Sequence, residues 1–145
     1  MFSSNQSLGS QRPSASAYRE IDANTALQDA SPHKLVSLLY VALGSQIAAA
    51  RGALARRDIA AKGRAISQAV RIVEEGLSAP LDMQAGGAIA SNLRDLYDYM
   101  VQQLTRANLR NDDATLHECA RLADILRESW DGIADKVHAA PGAAA

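Results

Sequence analysis

Apolar side chains recur at intervals of three and four along four stretches of the chain, and nowhere do they alternate in twos over the length of a strand. The first stretch reads Val36, Tyr40, Leu43, Ile47, Ala50, Leu54, and the second Ile59, Gly63, Ile66, Val70, Val73, Leu77. The third reads Ile89, Leu93, Leu96, Met100, Leu104, Ala107, and the fourth Leu116, Cys119, Ala123, Leu126, Trp130, Ile133, Val137. A mean spacing of about 3.5 predicts helices of roughly 20–25 residues packed almost parallel or antiparallel. Short connections make sequential neighbours antiparallel, so the expected fold is all-α, an up-down-up-down four-helix bundle.

The breaks between these stretches carry their own chemistry. Ser31-Pro32 offers a hydroxyl N-cap followed by a proline at the first helical position, where its missing N–H costs nothing. Asp58 restarts a helix after Arg56-Arg57, Gly76 to Pro80 ends it, Asp82 or a residue close after it begins the third, and Asn111-Asp112-Asp113 separates the third from the fourth. Gly63 falls on the second seam, which predicts a close approach of another helix there. Residues 1–17 are rich in Ser, Gln and Gly and predict a disordered leader. Residues 18–30 form a separate N-terminal segment, 31–139 the bundle, and 140–145 a frayed tail.

Some apolar residues fall outside these seams. At 100° per residue, Leu38 projects about 140° from the centre of the first seam, and Val41 is also well off it. Ile72 lies about 140° off the second seam and Ile125 about 130° off the fourth, with Leu122 part-way between. A wide core stripe with a few exposed aliphatics gives the same pattern. The other reading is a set of shallow apolar grooves that a second copy, the protein's own N-terminal segment or a partner's amphipathic segment would cover.

Composition narrows the possible functions. Of 145 residues, 48% are hydrophobic, and 15 Lys+Arg stand against 16 Asp+Glu, for a formal net charge of −1. That balance lacks the basic footprint of a general nucleic-acid binder. A single cysteine, Cys119, excludes a disulfide framework and any multi-cysteine metal site. No apolar run is expected to reach the ~18 residues of a membrane span, and Met1 to Gln6 lacks the features of a signal peptide, which points to a reducing, cytoplasmic setting. Charge is segregated: Arg51, Arg56, Arg57, Lys62, Arg64 and Arg71 face only Asp58 between residues 51 and 73, whereas acids dominate between 111 and 135. Neighbouring helices attracting one another account for this most simply.

Candidate chemistry is sparse. None of Glu20, Glu74, Glu75, Glu118 or Glu128 has a histidine three residues on, the ligand spacing of di-iron bundles, so no metal or other cofactor is expected. Gly86-Gly87 lacks the lysine and hydroxyl of a phosphate loop. Cys119 and Trp130 read as core residues, and His33 as an exposed residue of a first helical turn. His117 on an outer helical face leaves one signalling alternative, a histidine phosphotransfer bundle. Catalytic residues are otherwise absent, so the chain reads as a binding module and not an enzyme.

Several stretches resemble one family. Ala17-Tyr18, then Ala30-Ser31-Pro32-His33-Lys34-Leu35 and Leu38-Leu39-Tyr40, resemble the opening of the flagellar export chaperone FliS. Ala61-Lys62-Gly63 with Ile66 to Leu77 resembles its second helix. Leu81-Asp82, Gly86-Gly87, Ile89-Ala90, Asn92-Leu93, Leu96-Tyr97-Asp98-Tyr99-Met100 and Ala107-Asn108-Leu109-Arg110-Asn111-Asp112 resemble its most distinctive block, and Trp130 stands where the family has a tryptophan. Ala88 replaces the family's acid after the glycine pair, and Val41-Ala42 its Asp-Gly. The resemblance implies a cytoplasmic chaperone of the flagellar type III export system. Such a protein holds the disordered C-terminal segment of flagellin, prevents premature polymerisation, and helps present the client to the export gate; some members dimerise. Joined to the groove reading, it makes Leu38, Val41, Ile72, Leu122 and Ile125 the expected flagellin surface. Tyr18 and Ile21 would form an N-terminal cap on that surface when the client is absent. Neither nucleic-acid binding nor membrane insertion is implied.

Overall fold

The helices begin and end on caps that the sequence marks. In the computed structural model, residues 31–139 are described, with side chains as far as Ile133. The expected leader, N-terminal segment and tail lie outside them. Among the described residues, those up to Leu35 and those from Val36 on fall in two separate units. In the first unit, Ser31 Oγ accepts the Lys34 N–H (3.2 Å) and the Ser31 carbonyl accepts that of Leu35 (2.9 Å), the N-cap expected there. His33 falls in this first turn, half-buried and not exposed as expected.

The described residues form four helices, all α-helical except for one π-helical stretch. α1 spans Pro32–Ala55, α2 spans Ile59–Arg71 and continues as a π-helix over Ile72–Ser78, α3 spans Met83–Arg110, and α4 spans Asp113–Ala139. The α1–α2 and α3–α4 connections are built alike. The first closes with Arg57 N–H donating to the Leu54 carbonyl and Asp58 N–H to that of Ala53. The second closes with Asp112 N–H donating to the Ala107 carbonyl. In each, a residue with positive φ (Arg57, 61°; Asn111, 52°) stops one helix. An aspartate then caps the next: Asp58 accepts from Ala61 N–H, and Asp112 from the N–H and hydroxyl of Thr115. These hydrogen bonds, the Thr115 hydroxyl foremost, hold the Asp112 carboxyl below the usual range. Asp82 caps α3 through the N–H groups of Gln84 and Ala85.

Inter-helix contacts give the topology. Ser37 donates to Asp131 (2.6 Å) and Arg51 to Asp113 (2.8 Å), so α1 and α4 run antiparallel. Lys62 near the start of α2 reaches Asn108 near the end of α3, and Tyr99 of α3 reaches Glu118 of α4. The hydroxyls of Tyr40 and Tyr97 meet at 2.6 Å between α1 and α3. The bundle is therefore up-down-up-down, as the short connections predict.

Close approach occurs at Gly76 and not at Gly63. A Cβ on Gly76 would lie 3.1 Å from a methyl of Leu39, whereas one on Gly63 would make only ordinary contact, 3.9 Å from Asn108 Oδ1. Gly86-Gly87 makes a kink at the start of α3: Gly87 has φ 54° and ψ −132°, and a Cβ on Gly86 would sit 2.5 Å from that of Ala90.

The core follows the expected seams on α1 and on α4 as far as Leu126. On α2 and α3 it keeps the expected Ile66, Val73, Leu77, Met100, Leu104 and Ala107, and is turned by one residue at the other positions. Lys62, Ala65, Ala69, Ala90 and Tyr97 are buried, while Ile59, Ile89 and Leu96 are exposed. Trp130 packs half-buried against the core, and Ile133 is exposed. The small alanines let the helices close together, and each tyrosine hydroxyl satisfies the other, so burial of these residues leaves no polar group unpaired there. α1 corrects a second expectation: by length and composition it is apolar enough to cross a membrane. Its apolarity is used in the bundle, where Tyr40, Leu43, Ile47, Ala50 and Ala53 are buried.

Burial pushes both tyrosine hydroxyls above their ordinary range; the shared hydrogen bond opposes this at Tyr40 and adds to it at Tyr97. Burial, with a smaller contribution from Glu118, pushes the Cys119 thiol up to about 11. In each case the unfolded chain loses its proton first, so stability is full below the unfolded value and falls as pH rises towards the folded one. Urea unfolding followed by circular dichroism is expected to show stability declining above about pH 9 and more steeply above about pH 10. C119A is expected to remove the earlier part of the decline. The native thiol should react with a maleimide only as fast as the protein opens.

Candidate functional site

Two shallow grooves flank α4, one on each side. The α3–α4 groove, about 240 Å³, is lined by Tyr99, Glu118, Cys119, Arg121, Leu122 and Ile125. The α1–α4 groove, about 380 Å³, is lined by Tyr40, Val41, Gly44, Ser45, Ala48, Ala120, Asp124 and Arg127. Gly44, Ala48 and Ala120 are small, and their lack of bulk opens the second groove. Val41 and Ile125 stand 51% and 52% exposed at its wall and at that of the first groove. Charges ring both: Tyr99 donates to Glu118 (3.4 Å), and Arg127 pairs with Asp131 (3.6 Å).

The five residues expected on the partner surface therefore divide. Leu122 and Ile125 come together in one groove, and Val41 lies in the other. Leu122 is half-buried, with one side against the core. Ile72, expected to project outward, is half-buried and packs against the core, because the α2 seam is turned and the π-helix begins at this residue. Leu38 is half-buried and lines neither groove. Tyr18 and Ile21 lie outside the described residues. Tyr99, Leu96 and Ile89 extend the exposed apolar face along α3, and the period of the sequence hid them. Reading Leu93–Leu96–Met100 as the seam placed Leu96 inside, whereas Leu93–Tyr97–Met100 fits the same period, with Tyr97 and Met100 buried and Leu93 half-buried against the core.

The grooves are open and mostly apolar, suited to single aliphatic side chains of a docked segment and too shallow to enclose a small ligand. Among the described residues, no group of three or more His, Cys, Asp and Glu is placed to hold a metal ion. His117 is exposed, and its Nδ1 lies 3.0 Å from Arg51 Nη1. Arg51 also donates to both carboxylate oxygens of Asp113, at 2.8 and 3.1 Å. The guanidinium holds Asp113 below the usual carboxylate range and is itself raised. This cluster joins α1 to α4, as the charge segregation predicts.

Comparison with known proteins agrees with the resemblance. The family model described as flagellar protein FliS matches residues 14–137. The chain is 42% identical over 120 residues to the flagellar secretion chaperone FliS of Salmonella typhimurium, covering 83% of this chain and 89% of that one. It is 39% identical over 116 residues to the flagellar secretion chaperone FliSB of Pseudomonas aeruginosa, covering 80% and 91%. It is 34% identical over 127 residues to the FliS of Vibrio cholerae, covering 88% and 93%. With its four-helix fold and a family match that runs through every helix, the chain belongs to the FliS family of flagellar secretion chaperones.

Proposed function

We propose that this chaperone works in the cytoplasm, holding the disordered C-terminal segment of flagellin in the two grooves beside α4. There it keeps the segment from polymerising and presents the client to the export gate. The observation that carries this reading is the pair of half-exposed branched residues, Val41 and Ile125, each lining an apolar groove on opposite sides of one helix. A helical client placing aliphatic side chains there gains ~1.5–3 kcal/mol for each one fully buried. Four or five such contacts give a gross gain of about 10 kcal/mol, from which ordering the segment takes several. The net, about 5–8 kcal/mol, corresponds to a dissociation constant between about 0.2 mM and about 1 μM.

Calorimetric titration of the full chain with flagellin that keeps or lacks its C-terminal segment tests the reading. Binding with a dissociation constant between about 0.2 mM and about 1 μM is expected only with the segment present, with a negative heat-capacity change that reports apolar burial. Equal binding of the two flagellins would overturn it.

A further inference from the structure

Gly44 sits in the interior of α1, where glycine weakens a helix relative to alanine. Other glycines have a reason inside the fold. A Cβ on Gly76 or Gly86 would come within 3.1 or 2.5 Å of a neighbouring side chain, and Gly87 has a positive φ. Gly44 has neither: its backbone is ordinary α-helix, and a Cβ there would meet nothing within 4 Å. Folding of the free chain therefore does not require a glycine at this position.

The open space beside Gly44 is the α1–α4 groove. Val41, Gly44, Ser45 and Ala48 stand at spacings of three and four on one face of α1 and line this groove together with Ala120 of α4. It offers about 380 Å³, against about 240 Å³ beside Tyr99, Leu122 and Ile125 on the other side of α4. The larger groove thus lies among the smaller side chains, and at Gly44 the α1 backbone itself is bare. Asp124 and Arg127 bring both signs of charge to this groove, so size and not charge is what it selects.

We propose that Gly44 determines which side chain the α1–α4 groove accepts: it leaves room for one bulky aliphatic residue of the flagellin segment to insert between α1 and α4, against the α1 backbone. A contact of that kind needs a position without a Cβ, because any side chain there would compete for the same space. The inference rests on the client reading above and adds to it which groove takes the largest anchor.

Three variants of the full chain, G44A, G44L and G132A, test it by melting and by titration with flagellin that keeps its C-terminal segment. Gly132 of α4 supplies the control: among the described residues a Cβ there also meets nothing within 4 Å, and it lines neither groove. G44A is expected to melt about 2–4 °C above the parent, since alanine favours the helix and nothing in the free chain obstructs it. G44L should melt no lower than the parent yet bind flagellin about tenfold or more weakly, because its side chain fills the space that the client needs. G132A should keep the parent's affinity. Replacing each aliphatic residue of the flagellin segment by alanine should then find one position that costs the parent chain about tenfold and G44L about threefold or less. A G44A variant that melts below the parent would assign the glycine to the fold and overturn the proposal. So would parent affinity in G44L, an equal loss in G132A, or an alanine scan with the same profile for both chains. Parent affinity in G44L beside a loss in V41D would remove the role of Gly44 alone, whereas parent affinity in V41D and I125D as well would remove the client reading with it.

Discussion

Replacing Lys62 by methionine is expected to lower the unfolding free energy by about 3 kcal/mol and the melting temperature by roughly 10 °C. Lys62 is 2% exposed, yet its ammonium has no carboxylate partner among the described residues. Instead Nζ donates to the Asn108 carbonyl at 2.8 Å and to Asn111 Oδ1. Asn108 lies in the last turn of α3, where carbonyls have no partner within the helix and where a cation is favoured by the helix dipole. Hydrogen bonds from a charged donor contribute about 1.5–3 kcal/mol each, and methionine keeps the aliphatic stem while removing both. The opposing term is desolvation of the ammonium, which methionine relieves. The hydrogen bonds are expected to win, because Asn108 is half-buried and its carbonyl would lose its donor without full access to water. Asn111→Gly removes one acceptor while keeping the positive φ of 52° that ends α3. A double-mutant cycle between K62M and N111G, followed by urea unfolding, should return a coupling of about 1 kcal/mol or more. A methionine variant as stable as the parent would mean that the two terms cancel.

Lys62 also marks where the sequence was hard to read. The helix count, the caps at Ser31, Asp58 and Asp82 and the break at Asn111 were legible, because each rests on local chemistry between residues a few positions apart. The α1 seam was legible because its large apolar residues coincide with the core. On α2 and α3 the buried face includes Lys62, Ala65, Ala69, Ala90 and Tyr97, which hydropathy ranks below Ile59, Val70, Ile89 and Leu96. A lysine becomes a core residue only when another helix supplies acceptors, and a tyrosine when a second hydroxyl faces it. Both conditions are set by tertiary contacts between residues 46 and 57 positions apart. The same shift explains why Ile125 and Val41 were placed outward on α4 and α1, where the seams hold, whereas Ile72 on α2 was placed too far from the core. The kink at Gly87 and the π-helix of Ile72–Ser78 depend on local geometry that periodicity does not carry.

Substituting aspartate at Ile125 is expected to weaken flagellin binding by about 30-fold or more, and the same change at Val41 by a similar factor. Each side chain is about half-exposed in the free protein (52% and 51%), so the change should alter stability by no more than about 0.5 kcal/mol while placing a charge in an apolar contact of the complex. Far-ultraviolet circular dichroism and melting should therefore match the parent, which separates loss of binding from loss of fold. Ile72→Asp should behave differently: its side chain packs against the core, so it should lower stability and report little about the client. Because the two grooves lie on opposite sides of α4, V41D and I125D share no lining residue, and their effects should add in free energy to a loss of more than about 1,000-fold. An effect from only one of the two would mean that the client uses a single groove. Wild-type affinity in both would overturn the proposed use of these grooves. The additive outcome requires a client long enough to reach past α4, which a segment disordered before binding provides without distorting the helices it covers.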